Sequence, residues 1–453
     1  MKTLTKGKMW LFAIGQGGYA ILSGLIASWL VYFYQPTSEL VLLGQKALIP
    51  QGKVIFGVLT ILGLIAAGGR IFDAITDPMI ASWSDKCKSK NGRRIPFLKA
   101  SALPLSVITV LVFSAPFTAG STLNGVWLFV MVALYYFLIT AYCTPFTALY
   151  AELGKTAEER MFLSTAISLT FIVGTALAYV APALWDIFIS FGMERLSAIR
   201  SAIIFLAIIA CLAMFCPVFF IKESDYVEAK PVESTAIQSL IATFKNKDFR
   251  IFVASDIFYW IGLTMFQTGL PFFVTTLMKL EESWNTILFV GMTALSLVFY
   301  VPINFATNKV GKKKMVLFAF LMFTISFAFT SITGKLALPS VLQGVLVVLL
   351  SSLPMAIFGI LPQAMVADVA EYEAVQTGEN RQGMFFAART FCFKMGQSLA
   401  MLLFTSISTL GGNGVTTEGG VRIVALVSSI LCLLGGIILL AFNEKKVLAK
   451  IKK

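Results

Sequence analysis

Apolar residues run through this chain in blocks of about 20, separated by short polar segments, a length that lets each block cross a ~30 Å hydrocarbon core as a helix. The pattern predicts twelve spans, near 9–34, 53–83, 97–118, 124–152, 161–189, 199–221, 250–279, 285–307, 314–334, 340–368, 382–411 and 421–442. Between the sixth and seventh lies the longest polar stretch, KESDYVEAKPVESTAIQSLIATFKNKD, with Pro231 and charges of both signs. The chain therefore divides into an N-terminal six-helix bundle (1–221), a cytoplasmic central linker (222–249) and a C-terminal six-helix bundle (250–453) with a short basic tail. The expected fold class is all-α integral membrane protein.

The distribution of Lys and Arg orients the spans. With both termini in the cytoplasm, cytoplasmic segments hold about 24 of these residues, external loops about 7 and the spans about 5. That asymmetry predicts an N-in, C-in topology. It also accounts for the net charge of +13, which in a soluble chain would suggest a nucleic-acid partner. Composition agrees: 58% of the residues are hydrophobic and 13% charged, where a soluble domain carries about a quarter charged. The basic N-terminus MKTLTKGKMW leads into an apolar run too long for a signal-peptide core, so that run is expected to remain as the first span. The six cysteines have no CxxC spacing and mostly lie in apolar segments, as small packing residues do. Histidine is absent, which removes imidazole acid–base chemistry and imidazole metal ligands. With no HExxH and no nucleophile elbow the chain is not expected to be an enzyme, and nothing resembles a channel's selectivity filter.

Two loops repeat. SDKCKSKNGRR (84–94) follows the second span and TNKVGKKK (307–314) follows the eighth. Each has Asp or Asn, a Lys, then Gly and a basic pair, at the same place in its half, as expected of two homologous six-helix halves rather than ordinary basic loops. Gly92 permits a tight turn, and Arg93 and Arg94 can meet helix C-terminal ends and acidic partners. Asp85 is the expected acid of this cytoplasmic latch, with Asn308 its uncharged counterpart.

The second span contains GGRIFDAITDPM (68–79). At 100° per residue Arg70, Asp73 and Asp77 fall within about 60° of one another and form one polar stripe. Each charge at mid-helix costs about 2.5–3.5 kcal/mol, so three require a partner or a wet cavity. Pro78 removes a backbone donor, which is tolerable where the freed carbonyl lines a cavity. Two carboxylates one turn apart repel unless a cation sits between or beside them. The stripe is thus a candidate site for a proton or a hard cation such as Na⁺; a permanent network with Arg70 and a lysine is the alternative. Asp256, Arg389 and Lys394 are the other intramembrane charges. Lys394 could tie the second half to the acids of the first, and Arg389 could neutralise Asp256 or hold an anionic substrate group. In the fourth span, ITAYCTPFTALY, Thr140 and Thr144 are possible oxygen ligands, although such threonines often bond their own backbone. Gln16 and Tyr19, with Thr144, Trp260 and Arg389, are candidates for lining a substrate cavity.

The segment RIFDAITDPMIASWSDKCKSKNGRRIPF resembles the one that marks the glycoside–pentoside–hexuronide:cation symporters of the major facilitator superfamily, with melibiose permease the familiar member. The resemblance continues through AELGKTAEER, ADVAEYEAVQTGENRQG and FKMGQSLA, in order and over nearly the whole chain. It implies the major facilitator fold, a multi-pass place in the cell membrane (a bacterial inner membrane), a functional monomer, and no cofactor beyond a coupling Na⁺, Li⁺ or H⁺. By position in the motif, Asp73, Asp77 and Thr140 match the family's cation ligands, and Asp73 and Asp77 would hold a Na⁺ ion. Arg70 matches the arginine preceding the acids, and Lys394 matches the lysine that serves the cation site. The family's melibiose-type sugar contacts are replaced by Ala20, Cys143, Ser168 and Thr147. The expected activity is cation-coupled uptake of a sugar, glycoside or hexuronide by alternating access. The alternative is a transporter or flippase of a lysolipid or other amphiphile, since the superfamily branch includes a lysophosphatidylcholine symporter.

Overall fold

The computed structural model describes residues 4–37, 41, 47–50, 53–55, 59–87, 89, 92–153, 157–226, 243–377, 382–412 and 415–451. The chain folds as two compact units. The first comprises Met1–Gly52 and Leu64–Glu233, the second Lys53–Gly63 and Ser234–Lys453.

In the first unit the helices are α1 (Lys6–Tyr34), α2 (Ile61–Lys86), α3 (Ile95–Val112), α4 (Thr122–Leu153), α5 (Ala157–Tyr179), α6 (Ala181–Ser190) and α7 (Arg195–Phe220). The second holds α8 (Lys247–Phe272), α9 (Trp284–Val310), α10 (Lys312–Ile332), α11 (Ser340–Thr377), α12 (Gln382–Ser408), α13 (Glu418–Leu440) and a short α14 (Glu444–Ile451). Among the described residues eleven helical stretches are long and apolar enough to cross a membrane, α5 and α6 counting as one. The twelfth span is α2. Its 26 residues give about 39 Å of helix, and its three mid-helix charges set it apart from the others.

The two units share one packing scheme. In the first, α1 packs on α5 and α7, and α3 on α4 and α7. In the second, α8 packs on α12 and α13, and α10 on α11 and α13. Each pair occupies the same place in its half, so the repeat seen in two loops extends to the architecture. Small residues permit the closest approaches: a Cβ on Gly18 would lie 2.5 Å from the Ala210 carbonyl oxygen of α7, and one on Gly174 of α5 would lie 2.3 Å from that of Gly17. Outward positions are apolar and open, with Phe219 72% and Phe305 69% exposed, a surface suited to hydrocarbon rather than water.

Three expectations change. Lys53–Ile55 and Leu59–Thr60, assigned to the second span, form a short antiparallel pair, β1 and β2 respectively, and group with the second unit. There Thr405 of α12 fills the place of a side chain at Gly63. The fifth span is broken into α5 and α6, because Pro182 has no N–H for the Ala178 carbonyl four residues back. The indole N–H of Trp29 donates to that carbonyl instead, at 2.9 Å. Finally, two parts of the stretch 222–249 are regular structure: a 3₁₀ turn at Glu223–Asp225, and the start of α8 at Lys247, where Asn246 caps it by accepting the Phe249 N–H. Residues 227–242 lie outside the described ones.

Candidate functional site

Helices α2 and α4 face each other through two hydrogen-bonded rungs. The Thr140 hydroxyl donates to Asp73 Oδ1, and one turn further along both helices the Thr144 hydroxyl donates to Asp77 Oδ1 at 3.2 Å. Asp73 and Thr140 are buried and Asp77 is half-buried. Both helices carry a proline beside the rungs, Pro78 and Pro145, where the backbone ladder loses a donor. The donor set is therefore two carboxylates and two hydroxyls, all oxygen, which suits a hard monovalent cation or a proton. Thr144, expected among substrate contacts, is engaged with Asp77. Thr147 bonds its own backbone at the Cys143 carbonyl, 2.9 Å away.

One turn from Asp73, the Arg70 guanidinium lies over the Tyr136 ring, Cζ 5.2 Å from the centroid. Gly69 allows this, since a Cβ there would sit 2.5 Å from the ring. Tyr19 and Gln16 are half-buried on α1, and Tyr19 sits beside Cys143, with its ring 6.5 Å from that of Phe171.

In the second unit, Arg389 of α12 grips Asp256 of α8 with two bonds, Nε to Oδ2 at 2.7 Å and Nη2 to Oδ1 at 3.1 Å. Both side chains are buried. One turn along both helices Trp260 stacks on Phe393, centroids 4.7 Å apart, and its indole N–H has no partner among the described residues. Of the two roles weighed for Arg389, the pairing with Asp256 is the one its geometry displays. Lys394 is half-buried on α12.

In the loops 84–94 and 307–314 the basic pairs meet acids that lie far off in the sequence. Gly92 has φ +105°, and the Glu223 carboxylate occupies the space a side chain there would need. That carboxylate accepts the backbone N–H groups of Arg93, Arg94 and Ile95 at 2.8, 2.8 and 3.0 Å, while both arginines reach Glu152 at 3.2 Å. The second unit repeats this. Gly311 has φ +92°, Glu444 accepts from the N–H groups of Lys312 and Lys313 at 2.7 and 3.2 Å, and the Lys312 ammonium meets Asp368 at 2.6 Å. Lys313 reaches a helix C-terminus as expected, donating to the Leu440 carbonyl at 2.7 Å. The Asp85 side chain lies outside the described residues. A signal for the missed acids was present: AEL (151–153) and ADV (367–369) match in position, and Glu223 and Glu444 each follow the last helix of a half.

The MFS/sugar transport protein family matches residues 11–444. This chain belongs to that family. As a member it is a multi-pass membrane transporter with the major facilitator fold, and its paired units and repeated loops are those of such a transporter. Among its relatives is the isoprimeverose transporter of Lactiplantibacillus pentosus, 24% identical over 79% of this chain and 74% of that protein. Another is the sodium-dependent lysophosphatidylcholine symporter 1 of Xenopus tropicalis, 22% identical over 77% and 71%. A D-xylose–proton symporter of known structure shares the fold, with a TM-score of 0.67 at 15% identity, covering 98% of each chain.

Proposed function

We propose that this transporter couples the inward movement of Na⁺, Li⁺ or H⁺ to uptake of a sugar, glycoside or hexuronide. The observation that carries the coupling is the pair of rungs between α2 and α4. Two intramembrane carboxylates, each held by a hydroxyl, present oxygen ligands to a cation that would neutralise their mutual repulsion. A cation bound by Asp73, Asp77 and Thr140 draws α2 and α4 together and so orders the residues beside them, among them Arg70 and Tyr136. Substrate affinity and cation affinity then rise together, because the coupling free energy is reciprocal. Lys394 is assigned the role of a competing charge that the cation releases. The sugar relative supports the substrate class, and the sodium- and proton-coupled relatives support a coupling ion of either kind. Both termini are placed in the cytoplasm, the location is a bacterial inner membrane, and the working unit is a monomer.

The test is uptake in proteoliposomes of labelled sugars, glycosides and lysolipids, with and without a Na⁺ or proton gradient. Gradient-driven uptake that survives Asp73→Ala and Asp77→Ala would remove the cation site. Uptake of lysolipids with no competition from sugars would replace the sugar reading with that of an amphiphile transporter.

A further inference from the structure

Helices α8 and α12 meet in a fixed register. Asp256 bonds Arg389, Trp260 stacks on Phe393, and the Thr268 hydroxyl donates to the Met401 sulfur at 3.4 Å. The partners are 133 residues apart in each case. One helical turn separates the first two pairs, but two turns separate the second from the third. By the same register the skipped rung sets Thr264 opposite Gln397.

That rung is open. Thr264 is buried and its hydroxyl has no hydrogen-bond partner among the described residues; nor has the buried indole N–H of Trp260, one turn before it. Elsewhere such groups are satisfied. The indoles of Trp29 and Trp127 donate to the Ala178 and Leu111 carbonyls at 2.9 and 3.0 Å. The hydroxyls of Thr275, Thr307 and Thr324 donate to the carbonyl four residues back, at 2.8, 2.7 and 2.8 Å. A buried polar group left unpaired costs about 1–3 kcal/mol, so two on adjacent turns of one helix face call for a polar partner from outside the chain.

The surroundings say what kind. Arg389 and Asp256 cancel one turn before Trp260, so no uncompensated charge of this ladder favours an ion. An indole N–H only donates, while a threonine hydroxyl donates and accepts; a sugar hydroxyl, itself donor and acceptor, satisfies both. Trp260 and Phe393 are half-buried and stacked, with centroids 4.7 Å apart and planes at 25°. They form an apolar plate beside the two polar groups, the mixture that ligand pockets use. The C–H face of a pyranose fits such a plate. An acyl chain would cover it and leave both polar groups unpaired.

We propose that the open rung of α8 and α12 is a glycosyl subsite that determines sugar specificity. The Trp260 N–H donates to a ring hydroxyl, the Thr264 hydroxyl bonds that hydroxyl or its neighbour, and the pyranose rests on the Trp260–Phe393 plate. The inference rests on the sugar reading above and adds the residues that read the sugar.

The test is calorimetric titration of the purified protein, in Na⁺, with 4-nitrophenyl β-xyloside, β-glucoside and β-galactoside, their monodeoxy analogues, and lysophosphatidylcholine. Gradient-driven uptake of the same probes is measured separately in proteoliposomes. Thr264→Val should weaken binding of a fully hydroxylated glycoside about fivefold to tenfold and leave unchanged the one analogue that lacks the hydroxyl it reads. Trp260→Phe, which keeps a ring for the stack and removes the N–H, should show the same selective loss. Thr293→Val removes a hydroxyl that is also unpartnered, on α9 and outside the ladder, and should alter no affinity. Equal loss for parent and every analogue, no loss at all, or no binding of any glycoside overturns the subsite. So does lysophosphatidylcholine bound in place of the glycosides. If Trp260→Phe fails to fold, Thr264→Val with the deoxy series decides alone. Selective binding with no gradient-driven uptake removes the symport reading and leaves the subsite; gradient-driven uptake with unselective loss does the reverse.

Discussion

Thr140 and Asp73 show how much one hydroxyl can matter inside a membrane. A hydrogen bond to a charged group contributes about 1.5–3 kcal/mol, roughly one to two powers of ten in an equilibrium constant. Thr140→Val should weaken the apparent affinity for the coupling ion by about tenfold or more on that scale while leaving the protein folded, as measured by uptake against ion concentration. An unchanged ion dependence would remove Thr140 from the site. The Arg389–Asp256 pair makes a different prediction, because both side chains are buried and bonded twice. Asp256→Asn leaves a buried guanidinium without its counter-charge and should cost about 3–5 kcal/mol of stability, whereas Asp256→Leu with Arg389→Met should recover most of that loss. Thermal unfolding of the three proteins in detergent checks it: equal melting of Asp256→Asn and wild type would deny the pair its structural role.

Each unit uses its sixth span to cap its third at both ends. α3 has no side-chain cap of its own at the N-terminus, and Glu223, just beyond α7, supplies one to three N–H groups. At the other end Arg200 of α7 donates to the Phe113 and Ala115 carbonyls, 3.2 Å each. In the second unit Glu444 caps the start of α10, and Arg422 of α13 donates to the Ser331 and Thr333 carbonyls at 2.8 and 2.7 Å. An anion at the positive end of a helix and a cation at the negative end both favour the dipole. Glu223→Gln and Arg200→Gln should each lower stability by about 1–2 kcal/mol, read as a fall in melting temperature, and a wild-type melt for both would deny the brace any energetic weight. The α14 helix is held separately, by Lys446 bonded to Asp248 at 3.0 Å. That bond, first among the causes, keeps the Lys446 ammonium above its ordinary pKa. On the alkaline side the contact is therefore kept through the ordinary lysine range and is lost as pH rises through the raised value.

Across the whole molecule, the asymmetry of Lys and Arg predicts which loops face the cytoplasm. A cysteine at Lys445, exposed on α14, should react with a membrane-impermeant thiol reagent after cells are permeabilised, and one at Lys335, exposed in the turn after α10, should react in intact cells. The reverse pattern would invert the topology. Both units carry the same packing scheme and the same two-ended brace, so this prediction for the second unit implies its counterpart for the first.

Most of the architecture was legible along the chain. Twelve spans, their order and the repeated Gly-basic loops could be read because hydrocarbon demands about 20 apolar residues per crossing and penalises each charge. The Arg70, Asp73 and Asp77 stripe was legible for the same reason, as helical spacing alone puts the three on one face. The β1–β2 pair was not, because an apolar run looks the same whether it continues a helix or turns back. The break at Pro182 required knowing that Trp29, 149 residues away from the Ala178 carbonyl in sequence, could satisfy it. Glu223, Glu152 and Glu444 escaped for a related reason: their partners lie 58 to 132 residues distant. What the sequence determined by itself was how many helices cross the membrane and where polarity interrupts them, since transfer into lipid is priced residue by residue. Tertiary structure decided which polar groups meet, Asp73 with Thr140, Asp256 with Arg389 and the loop N–H groups with Glu223. Hydrogen bonds and ion pairs act over a few ångströms, and packing of helices remote in sequence sets those distances.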